Sequence, residues 1–225
     1  MIKKLEWDSD FFGIEIGEYF HEEKIAESNF DEFELIYVKS EIYNSLEIKN
    51  FENTFSETKL IFAKELKQHN NTNENIFSFK QIKVDKSLIY ELAFESGKFS
   101  RFNLDPNFQN GKFHELYKLW IDNSISNVFA DDLLVYLEKD EIVGFITYKT
   151  QNDTATVGLV AVNQNYQGKG IGSQLLKAVE YNLINNSIKT LLIPTQQINE
   201  IACNFYKKQG YSINETLFIK HYWKK

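Results

Sequence analysis

The chain has 225 residues, 43% of them apolar, enough for one large domain or two small packed ones and too many for wholesale disorder. It carries 25 basic and 32 acidic residues, a net charge of −7, which argues against nucleic acid or an anionic membrane as the main partner. A lone cysteine, Cys203, excludes an intramolecular disulfide. The histidines at 21, 69, 114 and 221 are scattered, so no Cys/His group has zinc spacing and no metal is expected.

The opening Met1-Ile-Lys-Lys-Leu-Glu-Trp-Asp8 meets acidic residues where a leader needs an apolar run. No stretch reaches the ~18 apolar residues of a membrane span, so the expectation is a soluble, cytoplasmic protein with no membrane insertion. Leu35–Val38 and Leu60–Ala63 read as strands, with helix around Ser40–Leu46 between them. The polar run Gln68–Asn75 reads as a linker, which places a boundary near residue 80 and divides the chain into 1–80 and 81–225.

Beyond it, Leu88–Glu95 reads as a helix with Ser87 as cap and Gly97 past its end. Phe113, Leu116, Tyr117, Trp120 and Ile121 mark a second helix. Leu133–Leu137 and Ile142–Tyr148 flank an Asp140-Glu141 turn, and Ala155–Val162 follows Asn152-Asp153. Ile171, Leu175, Val179 and Leu183 stripe a third helix. Thr190–Ile193 is a strand stopped by Pro194. A helix over Glu200–Gln209 ends at Gly210, and Thr216–Trp223 is a last strand. The order is mixed α/β with central antiparallel hairpins.

Gln167-Gly-Lys-Gly-Ile-Gly-Ser173 lies between a strand and a helix. At this glycine content a G-x-G-x-G run is expected only about 0.02 times by chance. Its physics is an anion cradle: glycines admit close backbone approach, and consecutive N–H groups meet a helix N-terminus. It is not a P-loop, since Lys169 precedes Gly170 rather than Ser or Thr. Nor does it have the third spacing or the parallel context of a Rossmann loop.

Here the sequence resembles the GNAT acyltransferase superfamily, whose pyrophosphate loop reads Arg/Gln-x-x-Gly-x-Gly/Ala. Gln167, Gly170 and Gly172 match it, Thr156–Val162 matches the preceding strand, and Asn199, Ala202, Tyr206, Gly210 and Tyr211 match the later Asn-x-x-Ala…Tyr-x-x-x-Gly-Phe/Tyr element. The superfamily's frequent Pro after that strand is Gln164 here. The resemblance implies a GNAT fold: a mixed central sheet with splayed strands, here with a smaller N-terminal α/β half. It also implies acetyl-CoA or another short acyl-CoA as co-substrate. The pyrophosphate would lie on Gly168, Lys169, Gly170, Ile171, Gly172 and Ser173, with the pantetheine along Val160 and Val162 beside Asn199 and Phe205.

A narrower resemblance spans nearly the whole chain. Trp7-Asp-Ser-Asp-Phe-Phe-Gly13, Ser100-Arg-Phe102 with Pro106, Tyr117…Trp120-Ile121 and Pro194-Thr-Gln-Gln-Ile-Asn199 are similar to segments of bacterial TDP-fucosamine acetyltransferases. That family implies a dTDP-linked amino-dideoxyhexose as acceptor, for surface polysaccharide synthesis, and a homodimer. Phe11, Phe12, Ser100, Arg101, Phe102, Tyr117 and Thr195 supply aromatic, cationic and polar groups suited to such an acceptor. Arg101 stands out as an arginine in a lysine-dominated chain, and a guanidinium suits a diphosphate.

Amide formation needs a neutral amine, a polarised thioester carbonyl and a protonated leaving thiolate. The Val160 N–H is the candidate oxyanion donor. Tyr206 is the candidate acid, because a phenol of pKa ~10 can donate to a thiolate whose conjugate acid sits near ~8.5. No general base is evident, and His114 reads better as a solvated helix residue. Asn199 is expected to contact pantetheine, cap the next helix, or both, and Cys203 to be core. Rival readings are a glycosyltransferase D-x-D at Asp8 and Asp10, a GNAT enzyme for peptide or polyamine amines, and a non-catalytic acyl-CoA sensor.

Overall fold

The computed structural model describes residues 2–21, 29–43, 45–67 and 74–225. Its strands are β1 (Lys3–Lys4), β2 (Ile16–Phe20), β3 (Leu35–Ser40), β4 (Phe51–Glu65), β5 (Ile76–Ser78), β6 (Asp132–Glu138), β7 (Glu141–Gln151), β8 (Thr154–Val162), β9 (Thr190–Gln196) and β10 (Ser212–Lys224). They form one mixed sheet in the order β1-β2-β3-β10-β4-β9-β8-β7-β6-β5. The helices are α1 (Glu6–Phe12), α2 (Ser87–Ser96), α3 (Arg101–Leu104), α4 (Lys112–Ile125), α5 (Ile171–Asn185) and α6 (Glu200–Lys208).

Side-chain alternation divides the core between the two faces of this sheet. On one face Leu35, Tyr37, Leu133, Val135 and Phe145 pack with Phe12 of α1, Leu92 of α2 and Leu116 of α4. On the other Phe62, Leu134, Ile146 and Ile193 pack with Leu175 and Val179 of α5 and with Cys203 and Tyr206 of α6. The expected stripe of α5 is buried throughout. At roughly 1.5–3 kcal/mol per buried aliphatic side chain, that stripe rather than propensity holds the helix to the sheet.

The expected linker lies mostly outside the described residues. Strands β1–β4 of the 1–80 segment share the sheet with the later strands, because β10 runs antiparallel between β3 and β4 and β9 pairs β4.

Four local expectations are corrected. The described residues of Ser40–Leu46 are not helical. Ser40 ends β3, and its hydroxyl donates to the Ile42 carbonyl at 2.9 Å, a local bond that competes with a helical turn. Ser87 does not cap α2; Asp85 accepts from both its N–H (2.9 Å) and its hydroxyl (2.7 Å). The β6–β7 turn is Lys139-Asp140, both at positive φ, and Glu141 already belongs to β7.

Pro194 does not stop β9, which runs on to Gln196. The Leu66 N–H to Lys189 carbonyl bond (2.8 Å) and the Gln197 N–H to Thr58 carbonyl bond (2.8 Å) put odd-numbered residues at bonding positions towards β4. Pro194 therefore turns its missing N–H the other way, towards β8, and β8 pairs with β9 only over Thr154–Thr156 and Thr190–Leu192. The proline sits where the ladder has already opened.

A buried polar cluster fixes β10 to the segment after α3. Asp105 Oδ2 lies 2.5 Å from His221 Nδ1 and accepts from Trp223 Nε1 at 2.9 Å, while Asp105 Oδ1 accepts the Asn107 N–H at 3.0 Å. His221 is completely buried, and burial holds its imidazole at about 4 against the opposing pull of Asp105. The unfolded chain takes up this proton near 6.5 and the folded chain resists it down to about 4, so stability should fall as pH drops through that window. Melting temperatures from pH 7 to 4 check this; His221→Gln should show a shallower fall than the parent protein.

Candidate active site

The Gly158-Leu159 step is where β8 changes course. Val157 pairs Tyr148 and Val160 pairs Ile146, so β8 carries one extra residue, a bulge. Thr147 fills it: its hydroxyl accepts the Leu159 N–H at 2.8 Å, and a Cβ on Gly158 would come within 2.7 Å of that oxygen. Beyond the bulge the Asn163 N–H to Val143 carbonyl bond marks odd-numbered residues as those bonding β7. Val160 and Val162 therefore turn their backbone groups towards the side β9 has left. The Gln167 amide already donates to the Val162 carbonyl there, at 3.0 Å.

Below this edge the glycine run enters α5. Gly168 and Gly170 adopt φ of +78° and +80°, conformations that cost other residues about 1–2 kcal/mol. The first helical bond runs from Gln174 N–H to the Gly170 carbonyl, so the N–H groups of Ile171, Gly172 and Ser173 have no partner in the preceding turn. Free amides and the positive helix end make an anion site. On the acyl-CoA expectation, Gly170→Val should raise the acetyl-CoA KM roughly tenfold with kcat little changed, because the loss is one of uniform binding; steady-state kinetics at saturating acceptor check it.

α6 delivers Tyr206. Asn199 Oδ1 caps the helix by accepting the Ala202 N–H (3.2 Å), and Gly210 at φ +85° ends it. The Tyr206 ring packs on Phe62, Phe205 and Tyr211. Tyr211 is anchored in turn by the buried Glu180, whose Oε1 also meets Lys64 Nζ at 2.8 Å. Burial, then Cys203, pushes the Tyr206 phenol well above its ordinary value, so it stays protonated. Burial also raises the Cys203 thiol, which makes it a poor nucleophile.

The gap between β8 and β9 opens into a cavity of about 870 Å³ that reaches both faces of the sheet. On the α5–α6 face it is lined by Val160, Val162, Gln167, Gly168, Gly170, Ile171, Gly172, Ser173, Asn199, Phe205 and Tyr206, with Thr195 on β9. On the opposite face Ser100, Arg101, Phe102 and Tyr117 join the same cavity. Three expected residues do not line it. Lys169 sets its ammonium 4.5 Å from the Tyr166 ring. Phe11 stacks behind Trp7 (5.4 Å, 1°), and Phe12 is core, against Phe102 and Phe108. The helical turn of α1 explains the exchange: it presents Trp7 and Asp8 to the cavity and tucks the two phenylalanines beneath.

Asp10 is exposed and Asp8 lines the cavity. Residues two apart on a helix do not face one another, so they cannot act as a D-x-D pair. Also missed were Glu57 and Lys59, on one side of β4, which line the cavity together with Arg101. Arg101, the only arginine in the chain, lies with its guanidinium 4.3 Å from the Tyr37 ring centre. Burial raises the Asp8 and Glu57 carboxyls and lowers the Lys59 ammonium, with Arg101 opposing the first two shifts and adding to the third.

A splayed sheet, a bulged strand and a glycine cradle at a helix N-terminus define an acyl-CoA-type fold, and the family match agrees. Residues 91–211, more than half of the chain, match the acetyltransferase (GNAT) family, and the chain belongs to it. Solved structures of the same fold include a GNAT-family protein from Novosphingobium aromaticivorans, with TM-score 0.57 and 10% identity over 85% of this chain and 74% of that one. Another, from Colwellia psychrerythraea, has TM-score 0.53 and 13% identity over 86% and 66%.

Among curated relatives, the spore coat polysaccharide biosynthesis protein SpsD of Bacillus subtilis is 25% identical over 139 residues, 62% of this chain and 48% of that protein. The ribosomal protein bS18-alanine N-acetyltransferase of Haemophilus ducreyi is 33% identical over 90 residues, 40% of this chain and 61% of that one. The chain thus spans about half to three-fifths of these relatives' lengths. No helix among the described residues is long and apolar enough to cross a membrane.

Proposed function

We propose that this protein transfers an acetyl or other short acyl group from acyl-CoA directly to the amine of a dTDP-linked 3-amino- or 4-amino-dideoxyhexose. The observation that carries the reading is the cavity itself. It joins an anion cradle and an acid on one face to an aromatic, arginine-bearing chamber on the other. Residues 81–225 would hold the acyl-CoA, and residues 1–80 would contribute Trp7, Asp8, Glu57 and Lys59 to the acceptor end. The similarity to SpsD, a polysaccharide biosynthesis protein, and the whole-chain motif resemblance support a sugar acceptor.

When bound, acyl-CoA would supply the thioester. Ile171, Gly172 and Ser173 would hold its pyrophosphate, and the Val160 N–H would polarise the carbonyl. Arg101 and Lys59 would face the acceptor's diphosphate, while Trp7, Phe102, Tyr117 and Trp120 offer it aromatic surface. Attack by the amine forms the C–N bond and breaks C–S, and Tyr206 gives its proton to sulfur.

Thiol release from acetyl-CoA, measured with a panel of dTDP-3-amino and dTDP-4-amino sugars, tests the assignment. Rapid release with one isomer fixes class and regiochemistry. A peptide amine is the second reading, favoured by the similarity to the bS18-alanine enzyme. Turnover of peptides that dTDP does not inhibit would select it over the sugar. Sedimentation of the enzyme tests the dimer that the resemblance implies.

A further inference from the structure

Glu57 is an anomaly in the cavity wall. It sits on β4, two residues before Lys59, which pairs Gln196 of β9, so it stands beside the point where β9 ends and the loop to α6 begins. Its Oε2 is buried and has no hydrogen-bond partner among the described residues. Nor does Glu57 form an ion pair among them, although Lys59 on its own strand and Arg101 on α3 both influence it. A buried carboxylate oxygen left unpaired costs about 1–3 kcal/mol or more, so a structure retains one where something else completes it. A cavity wall that must receive a primary amine is such a place, since an ammonium offers three N–H donors to an oxygen that lacks one.

Resting on the acceptor reading above, we propose that Glu57 is the catalytic base, taking one proton from the acceptor's ammonium so that the nitrogen lone pair can attack the thioester. The bookkeeping of protons closes without another reagent. The nitrogen loses two protons. Glu57 takes the first and passes it to solvent. The second leaves the tetrahedral intermediate and, through water, restores the one that Tyr206 gives to sulfur. The products are the amide, free thiol and one proton.

The surroundings suit the role. Tyr117 of α4 and Asp8 of α1 line the same cavity, Lys39 lies on β3, paired with Glu18 of β2, and His221 of β10 stays neutral in the acid-bonded cluster behind. Burial raises the Glu57 carboxyl against Arg101 and Lys59, which makes it a better proton acceptor than an ordinary exposed carboxylate.

Two readouts test this. The first needs no acceptor: a 13C carboxyl titration of the acetyl-CoA-bound protein, with the Glu57 resonance assigned by its absence from Glu57→Gln and from Glu57→Asp. A titration midpoint above the ordinary glutamate range is expected, and one within or below it overturns the proposal. The second is the pH profile of kcat/KM with whichever amine turns over. Glu57→Gln should lose at least about 100-fold at pH 7 and recover tenfold per pH unit as the free amine becomes populated. A loss that does not change with pH would mean a structural role and overturn the proposal. If no amino sugar in the panel turns over but peptides do, the acceptor reading fails while the titration still decides Glu57.

Discussion

Replacing Tyr206 with phenylalanine is expected to lower kcat by about 100-fold or more while leaving the acetyl-CoA KM and the melting temperature nearly unchanged. The substitution removes one oxygen from a ring only 4% exposed, and that ring keeps its contacts with Phe62, Phe205 and Tyr211. The phenol oxygen has no hydrogen-bond partner among the described residues and is not one of the buried atoms left without one, so removing it strands nothing. What disappears is the proton donor proposed for the leaving sulfur. Donors with thiol pKa values well below that of CoA should suffer less, since a better leaving group needs less help. Pre-steady-state thiol release from acetyl-CoA and from an activated acetyl thioester would separate an acid from a packing residue. Equal losses with both donors would argue for packing.

The second large effect is on stability. Asp105→Ala is expected to cost about 3–5 kcal/mol, because it leaves His221, Trp223 and the Asn107 N–H without their shared acceptor in a fully enclosed site. In a chain of this size that corresponds to a melting temperature lower by roughly 10 °C. Asp105→Asn, which keeps one acceptor oxygen, should fall between. On the proposed reading, the damage reaches the acceptor end as well. The Asp105 N–H closes α3 on the Arg101 carbonyl at 3.0 Å, so loss of the anchor frees the turn that positions the guanidinium. Calorimetry and the KM for the acceptor, measured together, check both consequences. A stable variant with an unchanged acceptor KM would contradict them.

The donor end of the site was legible because its elements are local. Glycine spacing, a following amphipathic helix and an Asn-capped helix ending at glycine are written within about 45 residues, and each has a direct conformational cause. The acceptor end was not. Glu57 and Lys59 interrupt the apolar pattern of β4, so the hydrophobic period exposes only Leu60–Ala63 of a strand that begins at Phe51. Nothing near Glu57 in sequence says that β8 and β9 diverge beside it.

The Trp7–Gly13 segment was readable as a motif but not as a helix, and the face it turns to the cavity follows only from that helix. Pro194 misled for a related reason: a missing donor stops a strand flanked on both sides, and here one flank is open. Arg101 was the exception, conspicuous through its rarity in a lysine-rich chain.

The placement of β10 has a consequence for how the chain reaches this shape. Trp223 pairs Leu35 on one side and Glu52 on the other, so two strands close in sequence remain apart until a third, far downstream, arrives between them. During synthesis β3 and β4 must wait with unpaired edges, each able to recruit the other, or a neighbouring nascent chain, in the wrong register. Contacts of such long sequence separation slow folding, and the waiting state is the one that aggregates. Charged residues along this seam, among them Glu57 opposite Ile219, Lys59 opposite Leu217 and Lys220 opposite Ser56, also keep the waiting edges from being uniformly apolar.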